Sequence, residues 1–470
     1  MSYRVRLGLL GAVGVAVLTL AVTVAVASTG SSNAAAPIKI GILSDCQGAF
    51  GAQYSADIGG AIAAFVQYAG AKPVNPNDPT KGMTGGTVAG HPLQIVGFGC
   101  SNDNAQRAIS ETQRLMEQLG AQILIGPLSG DEAVAVAHYA QAHPTKTFIN
   151  GTAGSQDPTL QIAPKNFFRY NGDGAQWNAG LGDYMYSKLH WRKAAIIMDD
   201  YSFGWTSAAG IIAEFCAVGG QIVKRVFPPL NTTDYSSYVR QLPPPSQVDG
   251  YFWVVGGTGT VASLKAMQQA YPGSVSKTKI SGNLFLEVTG NFQQVAPLIS
   301  GAIVGGFGTP GTDYKAPAAL AYVKKQESVW KSLPQLGPMN TANAYNGFYF
   351  NYYKAAWALV KGLTAVGGNI STSQLPLQKA LAKVSLNTPF GLVKLDKNRQ
   401  AIEGEWTYQV FAQPGKTEVK TIQYIPNVDQ SFGGTFKHTS PPPGRTQPPC
   451  AKRTLPWVGK EKPVVNGVIK

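Results

Sequence analysis

The sequence predicts an α/β fold in which helices cover parallel sheets, and two observations carry that prediction. The stretch from Phe167 to Val223 places Ala179, Leu181, Tyr184, Met185 and Leu189 on one helical face. A short apolar strand, Ala194 to Met198, follows, then a polar and aromatic loop, Asp199 to Gly204, and a second helix from Thr206 to Cys216. That helix ends at Gly219-Gly220, and Ile222-Val223 opens another strand. The same alternation runs from Ile38 to Ile149, so the pattern occurs in two blocks. Ligands on such sheets sit at the carboxyl ends of the strands, which makes the loop at 199 to 204 a candidate binding edge.

The first block reads as strand Ile38 to Leu43, helix Ile58 to Tyr68, strand Leu93 to Phe98, helix Ala105 to Leu119, and strand Ala121 to Ile125. Helix Asp131 to Ala142 and strand Thr147 to Ile149 complete it, and a loop-rich insertion from Lys72 to Gly90 carries Pro73, Pro76 and Pro79. The second block, from about 171 to 305, adds strand Gly250 to Val255, helix Val261 to Ala270, strand Lys279-Ile280 and the apolar run Gly301 to Phe307. A long helix, Asn343 to Leu363, carries Tyr345, Phe348, Tyr349, Tyr352, Tyr353 and Trp357 on a broad face that reads as core packing. A short helix at 371 to 384 and a strand from Gly404 to Phe411 follow; after Ile425 the chain is Pro-rich and reads as an extended or wrapped segment.

Arg4 and Arg6 precede an apolar run from Leu7 to Ala27, and Ala25-Val26-Ala27 fits a small-residue cleavage site, so residues 1–27 read as a signal peptide and the chain as exported. The alternative is an uncleaved anchor, since ~20 residues span a bilayer. No cysteine near the cleavage site offers a lipid attachment point. The remaining chain is longer than one core usually serves, so two domains are expected. The formal charge is +14, and the segment from 437 to 470 contributes Lys437, Arg445, Lys452, Arg453, Lys460, Lys462 and Lys470 against Glu461. This basic tail reads as solvated, with attraction to anionic envelope polymers or lipid headgroups as the alternative. Basic and aromatic residues do not interleave on one surface, which argues against nucleic acid as a partner.

Four cysteines in an oxidising compartment allow three connectivities. Cys46 and Cys100 each follow a strand, and parallel neighbours would bring those ends together; that leaves Cys216 for Cys450 in the tail. Zinc-type clusters are absent, since no Cys-x-x-Cys occurs and the five histidines are scattered. His138, His143 and His190 read as surface or satisfied residues. An enzyme is disfavoured: Gly257-x-Gly259-x-x-Ala262 is a loose dinucleotide fingerprint without its acidic ribose partner, and no Gly-x-Ser-x-Gly elbow occurs. No cofactor is expected.

Four segments in order, Ile38 to Leu43, Gly48 to Tyr54, Gly126 to Ser129 and Asn150 to Gly154, resemble the successive signatures of type 1 solute-binding proteins, the leucine/isoleucine/valine-binding family of ABC importers. The resemblance spans about 37 to 412. It implies two Rossmann-like lobes joined by three crossing strands and closing on a solute like a hinged clamp. The crossings would lie near Arg169 to Gly172, Gly305 to Gly308 and Phe390 to Lys394. Lobe I would comprise 37–170 and 308–390, lobe II 171–307 and 391–425, and 426–470 the tail. The implied partners are a small solute and a membrane permease, with the protein a monomer that carries out no chemistry. A sensor of the same fold, anchored in the envelope, is the alternative.

The family's binding positions fall on Tyr54, on Ser129 and Gly130 at a helix start, on Thr152, Ala153 and Gly154, and from the other lobe on Phe203, Gly257 and Thr258. Asp173 and Gln176 follow the first crossing and could reach the ligand, although Asp173 could equally cap a helix. Relatives that bind α-amino acids carry a Glu after the strand at Lys279-Ile280 to pair with the ligand ammonium. Here Leu284 stands there, with Glu287 three residues on. A buried ammonium without a carboxylate costs several kcal/mol by order of magnitude. With Tyr54, Trp177, Phe203 and Phe285 near the cleft, an aromatic or aliphatic acid is the alternative ligand. Ser129 replaces a cysteine that some relatives bridge to the one after their second strand, which leaves Cys100 for Cys46.

Overall fold

The computed structural model describes residues 35–256, 259–283, 294–295, 298–370, 373–413 and 416–470. The expected signal peptide lies outside them. Among the described residues no helix is long and apolar enough to cross a membrane.

Two sheets organise the unit Ala36–Lys470. Strand Ile38–Ser44 is apolar on both faces and therefore sits inside a six-stranded sheet, between His91–Cys100 and Ile123–Ile125. Thr147–Ile149 and Phe167–Phe168 extend that sheet in parallel, and Thr87–Val88 adds an antiparallel edge. The second sheet runs in parallel through Gln221–Val226, Lys193–Met198, Gly250–Val254, Ile280–Gly282 and Ile303–Gly305. It then continues antiparallel through Ala401–Gln413, Lys416–Val428, Lys462–Val465 and Val468–Ile469. This is the expected two-lobed α/β architecture.

Local chemistry shifts several element ends. The first helix begins at Tyr54, one turn before Ile58, because a 3-10 turn, Gly51–Gln53, feeds straight into it. The helix expected through Ala179 is confined to Leu181–Ser187, since Gly180 takes a positive φ of 86° and ends the turn Gln176–Asn178. The long aromatic helix is broken: Thr341–Ala344 is one turn, and Gly347–Ala365 starts anew where the Asn346 side chain accepts from Phe348 N at 2.9 Å. That helix packs on Tyr54–Ala69 so closely that a Cβ at Gly60 would stand 1.9 Å from Tyr349 O. Strand Gly404 to Phe411 lengthens to Ala401–Gln413 and pairs with Lys416–Val428, a strand not anticipated.

Where the chain passes between the sheets, Arg169 bridges to Gln400 in parallel. Its guanidinium is fully buried and donates to Thr159 Oγ1 at 2.7 Å, to Ser155 O and to Gln400 Oε1, with Asp173 Oδ2 at 3.8 Å. Burial takes Arg169 down to about 10, and the Asp173, Asp396 and Asp157 carboxylates oppose that shift.

The tail wraps the second lobe. Phe432, Leu455 and Trp457 bury themselves against Ala175, Ala179, Ala209 and Ala213. Trp457 Nε1 donates to Glu214 Oε1 at 2.8 Å, and Glu214 also accepts from Gly180 N and Gly182 N at 2.9 Å. The tail reaches elements of the first lobe as well, where Gln161 Nε2 donates to Ser440 O at 3.2 Å. Arg445 forks onto Asp200, with Nε 2.8 Å from Oδ1. Disulfides join Cys46 to Cys100 and Cys216 to Cys450. The first follows from register, since Ser44 lies opposite Cys100.

Two outcomes test this packing. The double change Cys216→Ser, Cys450→Ser opens a loop of 234 residues and should cost about 2–5 kcal/mol in urea unfolding; an unchanged midpoint would mean that the apolar contacts alone hold the tail. Burial raises the Glu214 carboxyl from 4.5 to about 8 despite its hydrogen bonds. The folded protein thus keeps a proton that the unfolded chain releases, and the stability it contributes is full below pH 4.5 and lost as pH rises to about 8. The melting temperature of the native protein should therefore fall relative to Glu214→Gln across that window, and parallel pH profiles would refute the shift.

Candidate functional site

Loops at the carboxyl ends of strands from both sheets meet around one cavity, which leaves about 250 Å³ between its atoms. Phe50 arrives from the loop after Ile38–Ser44, Leu128 to Gly130 from the loop after Ile123–Ile125, and Thr152 and Gly154 from the loop after Thr147–Ile149. Tyr201 and Phe203 come from the opposite sheet, Trp177 and Phe307 from the chain near the crossings, and Phe348 from the start of helix Gly347–Ala365.

Six of these residues form a continuous aromatic belt. Ring centroids lie 5.9 Å apart for Tyr201 and Phe203, 5.7 Å for Phe203 and Trp177, and 4.2 Å for Trp177 and Phe307. Phe307 and Phe348 follow at 5.0 Å, and Phe348 and Phe50 at 6.3 Å. All six side chains are buried. Such faces and edges favour a flat apolar or aromatic body over a polar chain.

Polar character enters at the meeting of two helices. Gly130–Ala142 and Ser202–Ala217 point their N-termini at one another: a Cβ on Gly130 would stand 2.7 Å from Ser202 Oγ and 2.9 Å from Phe203 N. Only glycine permits that approach. Asp131 Oδ1 accepts from Ser202 N at 3.0 Å across the gap. Two positive helix ends beside one cavity attract negative charge. Ser129 caps the first helix in a capping box with Glu132.

Buried carboxylates hold the lining loops in place. Asp103 Oδ2 accepts from Ala49 N at 3.0 Å, next to Phe50, and Asp45 Oδ1 accepts from Asp103 N at 3.1 Å. Glu132 accepts from Asn104 N at 3.2 Å and from Ser129 N at 3.3 Å. Burial, reinforced by the neighbouring Asp45 carboxylate, pushes the Asp103 carboxyl up to about 8. The Cys46–Cys100 disulfide pins the same loops.

Of the residues expected from sequence, Ser129, Gly130, Thr152, Gly154 and Phe203 line the cavity. Ala153 is buried beside them, with its carbonyl accepting from Asn150 Nδ2 at 3.0 Å, and it is not part of the lining. Tyr54 opens its helix half-buried and away from the lining. Asp173 and Gln176 lie apart from the lining. Asp173 Oδ1 accepts from Ala175 N and Gln176 N at 3.0 Å, the capping role, and its Oδ2 accepts from Gln430 Nε2 at 3.0 Å. Gln176 Nε2 donates to Ala401 O and Val428 O, so both residues are bound into the crossing rather than the cavity. Gly257, Thr258, Leu284, Phe285 and Glu287 lie outside the described residues. Phe50, Leu128, Tyr201, Phe307 and Phe348 join the lining without having been singled out for it. Phe50 and Tyr201 lay within segments already marked, whereas Phe348 read as core because helical periodicity does not tell a cavity from a core. Among the described residues no group of His, Cys, Asp and Glu is placed to hold a metal ion.

Known proteins share this fold. A substrate-binding protein of an ABC transporter from Sphaerobacter thermophilus superposes with a TM-score of 0.67 at 19% identity, covering 84% of this chain and 99% of its own. A solute-binding protein from R. palustris in complex with benzoate gives 0.65 at 21%, with 82% and 95% covered. A leucine-binding protein from Thermotoga maritima gives 0.62 at 17%, with 82% and 97% covered. No curated protein sequence matches the chain. The periplasmic binding protein family matches residues 37–415, which is most of the chain, and the protein therefore belongs to that family.

Proposed function

We propose that the protein captures a small carboxylate, an aromatic acid foremost, between its two lobes and delivers it to an ABC permease without chemical change. The observation that carries this reading is the convergence of two helix N-termini on a belt of six aromatic rings, with no acidic side chain among the described lining residues. An amino acid would bring an ammonium needing a carboxylate partner; a benzoate-like acid needs only the helix ends and the rings. Similar structures bind benzoate, 4-hydroxybenzoate and leucine, so both classes occur on this fold. Tyr54, Asp173 and Gln176 drop out of the contact set; Ser129, Gly130, Thr152, Gly154 and Phe203 remain.

The proposed lobes divide at the crossings near 169–172, 305–308 and 390–394, and closure is ligand-driven, the solute shifting the population by its differential affinity for the closed form. The family works outside the cytoplasm, in agreement with the leader.

The melting temperature of the 28–470 form with benzoate and with leucine tests the class. A ligand at ~100 times its dissociation constant adds about 2.7 kcal/mol, so benzoate should raise the melt by several degrees and leucine should not; the reverse pattern would overturn the carboxylate reading. Gly130→Ala drives a methyl against Ser202 and Phe203. It should weaken benzoate binding about tenfold or more by calorimetry, with a thermal melt establishing that the variant folds, and undiminished affinity would show that the helix ends do not meet in the bound state.

A further inference from the structure

Behind Trp177 of the cavity lining lies a cluster of buried polar atoms. The benzo edge of Trp177 faces the cavity wall, where a Cβ on Gly154 would stand 2.5 Å from its Cζ3. The pyrrole edge faces Gly172, where a Cβ would stand 3.0 Å from Trp177 Nε1 and 2.6 Å from Glu405 Oε1. Trp177 Nε1, both polar side-chain atoms of Asn351 and both carboxylate oxygens of Glu405 are buried without a hydrogen bond of good geometry. Native interiors leave few such atoms unpaired, and five around one spot indicate that something absent from the bare chain completes them.

The charges around that spot cancel. Lys354 Nζ lies 2.6 Å from Glu403 Oε2, and Glu403 Oε1 accepts from Gly172 N. A Cβ on Gly308 would stand 3.4 Å from Glu403 Oε1, 3.6 Å from Lys354 Nζ and 3.8 Å from Asn351 Oδ1, so these groups share the space with Asn351. Burial, with the Glu403 carboxylate next to it, holds the Glu405 carboxyl well above its ordinary value, offset in part by Lys354 and by the Gly308 backbone N–H. The cluster thus offers both donors and acceptors, with the Lys354 and Glu403 charges paired to each other. An ammonium or a second carboxylate would be uncompensated there, whereas a hydroxyl both donates and accepts.

We propose that Asn351, Glu405 and Trp177 Nε1 form a second subsite that takes an uncharged hydroxyl carried on the ligand's ring toward the hinge. The preferred cargo is then a hydroxylated aromatic carboxylate. This rests on the carboxylate reading of the cavity, and a turn of the Trp177 indole admits the substituent.

Calorimetry on the 28–470 form with benzoate, 3- and 4-hydroxybenzoate and 4-methylbenzoate tests it, the methyl group having the size of a hydroxyl without its hydrogen bonds. At least one hydroxybenzoate should bind about tenfold or more tighter than the methyl compound. That ratio should fall to about twofold or less in Asn351→Leu and in Glu405→Leu, and persist in Glu405→Gln, which keeps a neutral hydrogen-bonding group. Thermal melts of each variant establish that it folds, and the native protein's own ratio needs no variant. Equal binding of hydroxy and methyl acids, or a preference unchanged in both leucine variants, would overturn the proposal and leave the space to internal water. Benzoate, hydroxybenzoates and 4-methylbenzoate all failing while leucine binds would instead remove the carboxylate reading, and this proposal with it.

Discussion

A guanidinium with no access to water governs the junction of the lobes. A buried charge is costly unless every donor finds a partner, and Arg169 meets that demand by gathering Ser155 O, Ala153 O, Thr159 and Gln400 around itself, with Asp173 near. Two of those carbonyls belong to the loop that also carries Thr152 and Gly154 into the cavity. The same requirement that satisfies the charge therefore fixes one wall of the site relative to the crossing. Gln400 carries the network onward, its Nε2 donating to Asn171 O and to Gln176 Oε1 at 2.8 Å. Gln430 then extends it into the C-terminal segment through Asp173.

The cavity follows from placing the ends of two sheets face to face. Each sheet contributes a helix whose first N–H groups point into the gap, and the absence of a side chain at Gly130 lets the two ends approach. Around them the belt is assembled from loops that follow strands of both sheets and from the start of helix Gly347–Ala365.

Much of this was legible in the amino-acid order. Apolar runs such as Ala194 to Met198 could only be strands buried on both faces, and the ordered motifs from Ile38 to Gly154 located the lining loops. Misplaced boundaries have local causes: the positive φ at Gly180 and the Asn346 cap break patterns that periodicity alone carries through. The strand Lys416–Val428 did leave a signal, alternating burial at Val419, Thr421, Gln423 and Ile425, but its polar members mask it. Asp173 was ambiguous because a capping aspartate and a ligand-binding one share the same place at the start of a turn. Phe348 and Phe307 could not be assigned from sequence, since only the three-dimensional meeting of helix and crossing shows which aromatic faces a void.

Trp177 lies at the centre of the belt, against Phe203 on one side and Phe307 on the other. Trp253, Trp330, Trp406 and Trp457 are packed in cores away from the cavity lining. A solute seated among the rings would change the surroundings of Trp177, while Trp253, Trp330, Trp406 and Trp457 lie off the lining. The protein thereby carries an intrinsic optical reporter of its own occupancy, in which a shift of ultraviolet emission reads out binding without any dye.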